Sequence, residues 1–221
     1  VRQLADFPRQ AALWPQVVER LVPGELAHDR QHLLRVHRWA LRLAAEAGAD
    51  PDCAGATALI HDLVFVAKDS PERATGGERS AAAAPALLAA AGYRADEIAA
   101  IAEAVRTSSW SRGLPPTAAL GRVLQDADRL DAIGVVGLMR NLACAQHMAR
   151  PDGGSGFYHP DDPLHDDGTR ALDDRRWATD HCFAKLLRLA AGMHTAGARA
   201  EAARRHAFLL AWLDELRRES C

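Results

Sequence analysis

The chain has 221 residues, 48% of them hydrophobic and 25% charged, which suits one well-cored globular domain. A formal net charge of -2 gives no electrostatic footprint for binding extended nucleic acid. The four cysteines, Cys53, Cys144, Cys182 and Cys221, lie far apart and form no CxxC pair, which argues against a disulfide frame or a zinc knuckle. No apolar stretch reaches transmembrane length and the first residues lack a charged-then-apolar signal pattern, so a cytoplasmic protein with no membrane partner is expected.

Nearly every periodic segment has helical spacing, and no alternating strand stands out. The pattern predicts a first helix from Pro8 to Leu21, stopped by Pro23-Gly24, and a second from Leu26 to Ala47, ended by Gly48. A third starts at Pro51 with Asp50 as its cap, carries His61-Asp62, and breaks before Ser70-Pro71. After a polar loop from Lys68 to Gly77, Ala-rich helices are predicted over Glu78–Ala91 and Asp96–Thr107. Thr117 caps a helix through Asp131, Gly134 ends or kinks it, and another continues to Ala149. Residues 150–168, rich in Pro, Gly and Asp, read as a long functional loop. Helices over Asp174–Met193 and Thr195–Arg218 close the chain. The expectation is one all-α domain over residues 1–221.

Three features invite chemistry. His61-Asp62 sits in the run from Ala56 to Val66, apolar on both sides, and an unpaired buried carboxylate is costly. A structural His–Asp hydrogen bond would satisfy it, and so would a metal. Upstream, His28, His32, Arg35 and Trp39 recur at i, i+4, i+7 and i+11 and share one helical stripe, while His37 points elsewhere. Downstream, Asp126, Asp128 and Asp131 fall within a turn and a half. Asp128 and Asp131 border the apolar face marked by Val123, Ala127 and Leu130; Asp126 lies farther round, where capping or pairing with Arg122 or Arg129 would use it. Imidazoles and carboxylates from three helices form a divalent-metal donor set.

The ordered blocks His28-Asp29…His32…Arg35-Val36, Ala58-Leu59-Ile60-His61-Asp62-Leu63, Gln125-Asp126-Ala127-Asp128-Arg129-Leu130-Asp131-Ala132-Ile133-Gly134, Asp180-His181-Cys182-Phe183-Ala184-Lys185-Leu186-Leu187 and Met193-His194-Thr195-Ala196 cover almost the whole chain. In these the sequence strongly resembles the HD-domain metal-dependent phosphohydrolase superfamily, and most closely the small bacterial HD hydrolases related to dNTP pyrophosphohydrolases. The resemblance implies a single-domain HD-type helical bundle. It makes His32, His61, Asp62 and Asp128 the metal ligands, with Asp62 and Asp131 in catalytic roles. His28, Arg35, His181 and Lys185 become substrate contacts.

The chain departs from that pattern in having no histidine between His61 and His147. Relatives often carry histidines in the loop after His-Asp and at the position of Ser108-Ser109; a second metal commonly needs them. One divalent ion is therefore expected, Mn, Mg, Co, Ni or Fe, and a di-iron oxygenase is disfavoured. The missing histidines also remove the expected general acid, for which Lys68, Glu72, Arg73 and Glu78 in that loop are unranked substitutes; Glu72 is carried as a catalytic candidate and Lys68 and Arg73 as candidate substrate contacts.

The function expected is a divalent-metal-dependent phosphohydrolase acting on a nucleotide or related phosphate ester and releasing phosphate or pyrophosphate. The alternative is a metal-binding HD-domain protein with little or no hydrolase activity, acting as a ligand-binding or scaffold module. The partner expected is a small phosphorylated substrate, a nucleotide first; a homodimer is admissible.

Overall fold

A computed structural model of the chain describes residues 3–68, 70–149, 154–166 and 168–220. Among them no strand forms, and one isolated bridge joins Gly156 to Trp177. The fold class is all-α. The chain divides into two compact units, Val1–Asp128 with His194–Ala198, and Arg129–Met193 with Arg199–Cys221.

In the first unit, α1 (Pro8–Val18) is followed by α2 (Arg30–Ala47) and α3 (Pro51–Ile60). α2 begins later than its apolar period suggests, because the Asp29 carboxylate accepts the His32 N–H at 2.8 Å and caps the helix there. It ends at Gly48, whose φ of 71° is a left-handed conformation that glycine adopts without strain. Asp50 caps α3 by accepting the Cys53 N–H, and Pro51 fills the first turn. Every residue of α3 from Cys53 to Ile60 is buried, so this helix is the core of its unit, packed against α2, α1 and α5.

Two polar contacts fasten α1 to α3. Arg9 donates to Asp52 at 2.8 Å and to Glu97 at 2.8 and 3.2 Å. Gln10, fully buried, donates to the carbonyls of Asp52 at 3.0 Å and Pro51 at 3.4 Å and accepts from His37 at 2.6 Å. Its amide lies directly over Gly55, where a Cβ would collide with it.

The His-Asp pair falls just past the third helix rather than within it. His61 keeps helical angles as the C-cap, but the Leu63 N–H turns back to the Ile60 carbonyl at 3.1 Å and Val64 N–H goes to the Ser80 hydroxyl. A hairpin of α4 (Gly76–Ala90) and α5 (Ala95–Arg106) follows, then α6 (Ala119–Asp131). All three lie within a few residues of the positions the sequence predicts.

The second unit contains α7 (Gly134–Met148), α8 (Ala178–His181), a π-helical turn at Cys182–Leu186, α9 (Leu187–Leu189) and most of α10 (Ala196–Ser220). The helix expected from Asp174 starts at Ala178. Asp180, fully buried, draws the preceding segment out of helical geometry by accepting the Asp173 N–H and two Arg170 bonds at 2.7 Å. Residues 150–153 and 167 of the long expected loop lie outside the described residues, as does Asp69. No helix of the described residues is long and apolar enough to cross a membrane.

Candidate metal centre

Four side chains converge in the first unit. His32 comes from the first turn of α2, His61 and Asp62 from the end of α3, and Asp128 from the last turn of α6. The two Nε2 atoms face one another at 3.2 Å with the rings in an edge-on arrangement. Asp62 Oδ2 lies 3.4 Å from each Nε2 and Asp128 Oδ1 lies 3.8 Å from each. One ligand atom each from His32, His61 and Asp128 falls within 4.8 Å of the others.

The donor chemistry fits a divalent cation. Atoms bound at about 2.1 Å to a common ion stand about 3.0 Å apart when cis in an octahedron and about 3.4 Å apart in a tetrahedron. The imidazole and Asp62 spacings match that range, and Asp128 needs an inward shift of a few tenths of an ångström. His61 Nδ1 donates to the Ala58 carbonyl at 2.8 Å, which holds a proton there and makes Nε2 the nitrogen whose lone pair an ion would take once its proton is displaced. Two imidazole nitrogens at 3.2 Å with lone pairs facing each other repel unless a proton or a metal lies between them.

Electrostatics point the same way. Burial opposes charge on His61, yet the carboxylates of Asp62 and Asp128 outweigh it and raise its pKa to about 9. Burial would likewise raise Asp62, but the charge of His61 and hydrogen bonds from both imidazoles hold it well below the usual carboxylate range. The site is built to hold positive charge. His32 and His61 are sealed from solvent, whereas the Asp62 and Asp128 side chains are 34% and 35% exposed, so the cluster opens on its carboxylate side.

His28 stands beside this group. Its ring centroid is 5.8 Å from that of His32 and 5.9 Å from that of Phe65. Its Nδ1 lies 2.8 Å from Glu25 Oε2, and Glu25 also accepts the Ala27 and His28 N–H groups. Burial would raise the Glu25 pKa, but the bond with His28 overrides it and lowers it to about 2. The only trace of this pairing in the sequence is the position of Glu25 three residues before His28.

The other candidates fall elsewhere. Arg35 is half-buried one turn beyond His32 on α2. Lys68, Glu72 and Arg73 are exposed on the segment after the His-Asp turn, and Glu72 accepts from Arg79 at 2.6 Å. Asp131, His181 and Lys185 belong to the second unit. There Asp131 is buried and paired with Arg140 at 3.2 Å, His181 Nδ1 lies 2.9 Å from Asp174 Oδ2, and Lys185 sits half-buried in the π turn.

The HD domain family model matches residues 30–133, a span that contains His32, His61, Asp62 and Asp128. YpgQ of Bacillus subtilis is 30% identical over 213 residues, covering 95% of this chain and 92% of YpgQ. The solved structure of YpgQ in complex with ADP superposes with a TM-score of 0.68 at 28% identity, over 94% of this chain and 95% of that one. A Lactobacillus plantarum protein gives a TM-score of 0.75 at 30% identity, over 96% of each chain. A predicted HD superfamily hydrolase from an uncultured Thermotogales bacterium gives 0.61 at 25% identity, over 97% of this chain and 95% of its own.

Proposed function

The chain belongs to the HD-domain family, and on that premise we propose that it is a divalent-metal-dependent phosphohydrolase whose substrate is a nucleotide or a related phosphate ester. The observation that carries this reading is the convergence of His32, His61, Asp62 and Asp128 at 3.2–3.8 Å with the His61 tautomer fixed by Ala58. We assign these four residues as the ligands of one ion.

A bound divalent ion would polarise a phosphoryl oxygen and lower the pKa of a water beside it. The chain's own groups do the rest. Asp62 and Asp128 together offset the ion's two positive charges, so a phosphate arriving there needs cations from the protein. Arg35 and His28, about one turn either side of His32, share its stripe, and arginine can fork two phosphate oxygens. Asp62, ionised and a third exposed, is the first choice to accept a hydrogen bond from the attacking water. Asp131 and Glu72 would have to leave Arg140 and Arg79 to do this work, so they rank behind it. His181, Lys185, Lys68 and Arg73 remain proposed substrate contacts on the sequence reading. Nucleotides lead the substrate list because YpgQ was solved with ADP. A cytoplasmic setting agrees with the free thiols of Cys53 and Cys182.

The test is a screen for phosphate and pyrophosphate release from nucleotides and sugar phosphates with Mn, Mg, Co or Ni. Metal-dependent release from a nucleotide, absent in His61→Ala, is the result expected. Stoichiometric metal binding with no release from any substrate would favour the metal-binding module without hydrolase activity.

A further inference from the structure

Asp126 stands two residues before Asp128 on α6, and the sequence places it on another face. It is fully buried. Its Oδ1 accepts the His194 N–H at 2.8 Å, and its Oδ2 accepts both the Thr195 N–H and the Thr195 hydroxyl at 2.8 Å. Its neighbour Gln125 is also buried. Gln125 Nε2 donates to the Thr107 carbonyl at 2.7 Å and the Leu114 carbonyl at 3.1 Å, and its Oε1 accepts from His194 Nε2 at 2.9 Å. Glu46, near the end of α2, accepts the next two backbone donors, Ala196 and Gly197. The short segment from His194 to Gly197 is thus held by side chains from the two helices that bear His32 and Asp128.

Consecutive pinned residues fix a helix in rotation as well as translation. Each residue turns the helix by about 100°, so Asp128 stands about 200° round from Asp126 and its direction follows once Gln125 and Asp126 are held. Asp128 is also the member of the cluster farthest from the imidazoles, at 3.8 Å against 3.4 Å for Asp62. It therefore has the most to lose from a small rotation of α6, since a metal site tolerates errors of only tenths of an ångström.

We infer that Asp126 and Thr195 are positioning residues for the metal centre: their buried clasp sets the rotation of α6 and so aims Asp128 at the ion. This rests on the reading of the four-residue cluster as a metal site.

The test uses the full chain stripped of metal, with Mn2+ alone as the probe, titrated by calorimetry at a temperature where circular dichroism shows each variant folded. Asp126→Asn keeps the shape but turns an amide NH2 toward backbone donors; Thr195→Val removes the hydroxyl alone. Both should weaken Mn2+ binding tenfold or more, and Thr195→Ser should restore it to within about twofold. A clasp that is only structural would lower the melting temperature and leave Mn2+ affinity unchanged, which overturns the inference. Should Asp126→Asn not fold, the Thr195 pair decides alone. His61→Ala, run beside them, separates the two readings. If it loses Mn2+ while both clasp variants keep it, the clasp inference fails and the metal centre stands. If the unsubstituted protein binds no Mn2+, both fail.

Discussion

His61, the C-cap of α3, donates from Nδ1 to the carbonyl of Ala58, three residues back in that helix, at 2.8 Å. This bond ties the cap residue back onto the last turn of α3, so that helix also decides which nitrogen faces His32 and the carboxylates. The orientation of a proposed metal ligand is thereby set by the most buried helix of its unit.

Metal binding should release a proton. Without an ion, His61 has its pKa raised to about 9 by Asp62 and Asp128 and is protonated at neutral pH. The ion needs the lone pair on Nε2, so it displaces that proton. Apparent Mn2+ affinity should rise about tenfold per pH unit up to about pH 9 and level off above it, because one proton competes for one site. Calorimetry in buffers of different ionisation enthalpy counts the proton; a count of zero at pH 7 would contradict the assignment. Elemental analysis of the loaded protein should give about one ion per chain.

Removing a ligand carboxylate should abolish turnover. Asp62→Asn and Asp128→Asn each keep the side chain's shape but take away one negative charge, so the ion loses coordination and neutralisation together. Both variants should lose activity by a hundredfold or more and bind Mn2+ more weakly, read by steady-state kinetics and metal titration. Retained activity in either would remove that residue from the ligand set.

Stability should fall in mildly acidic solution because of His37. Burial, with the nearby charge of Arg38, lowers its pKa to about 4, against an ordinary value of 6.5, while its Nε2 is bonded to Gln10 at 2.6 Å. The unfolded chain then binds more protons than the folded one between those two values. The contribution is fully present above pH 6.5 and is lost as pH falls towards 4, by about 3 kcal/mol at most. Urea unfolding of the parent and of His37→Gln across that window should show the parent losing more stability than the variant. Parallel pH profiles would mean that His37 does not carry the effect.

Most helices were legible in the sequence because their signals are local. Asp50-Pro51 starts α3 and Gly48 ends α2, as capping chemistry requires. The convergence of His32, His61, Asp62 and Asp128 was legible for a different reason: charged groups in apolar surroundings need partners, and the resemblance implied which ones. What failed to show was long-range. Asp126 looked like an outer-face residue because the donors that bury it, His194 and Thr195, lie 68 and 69 positions away. The segment before Ala178 carries a helical pattern, yet Arg170 and the Asp173 N–H claim Asp180 and keep it irregular. The end of α3 was hidden too, since His61 keeps helical angles while the ladder beyond it is already broken.

Substrate holding should be separable from metal holding. A phosphate at the centre brings negative charge that the ion cannot offset, since Asp62 and Asp128 already do so. Arg35 lies three residues beyond His32, on the same stripe of α2 and half-buried, where a guanidinium loses little further freedom on gripping an oxygen pair. Lys185 is proposed for the same task on the sequence reading, as a point charge rather than a fork. Arg35→Ala and Lys185→Ala should each leave Mn2+ affinity within about twofold while lowering kcat/KM by about tenfold or more, which corresponds to about 1.4 kcal/mol of lost transition-state stabilisation. Arg35→Lys should recover part of the loss, because it restores charge without the bidentate geometry. Metal titration beside steady-state kinetics on the three variants reads both quantities. Unchanged kcat/KM in Arg35→Ala would place the phosphate outside the reach of α2, and weakened Mn2+ binding would make Arg35 a support of the ligands instead of a contact to substrate.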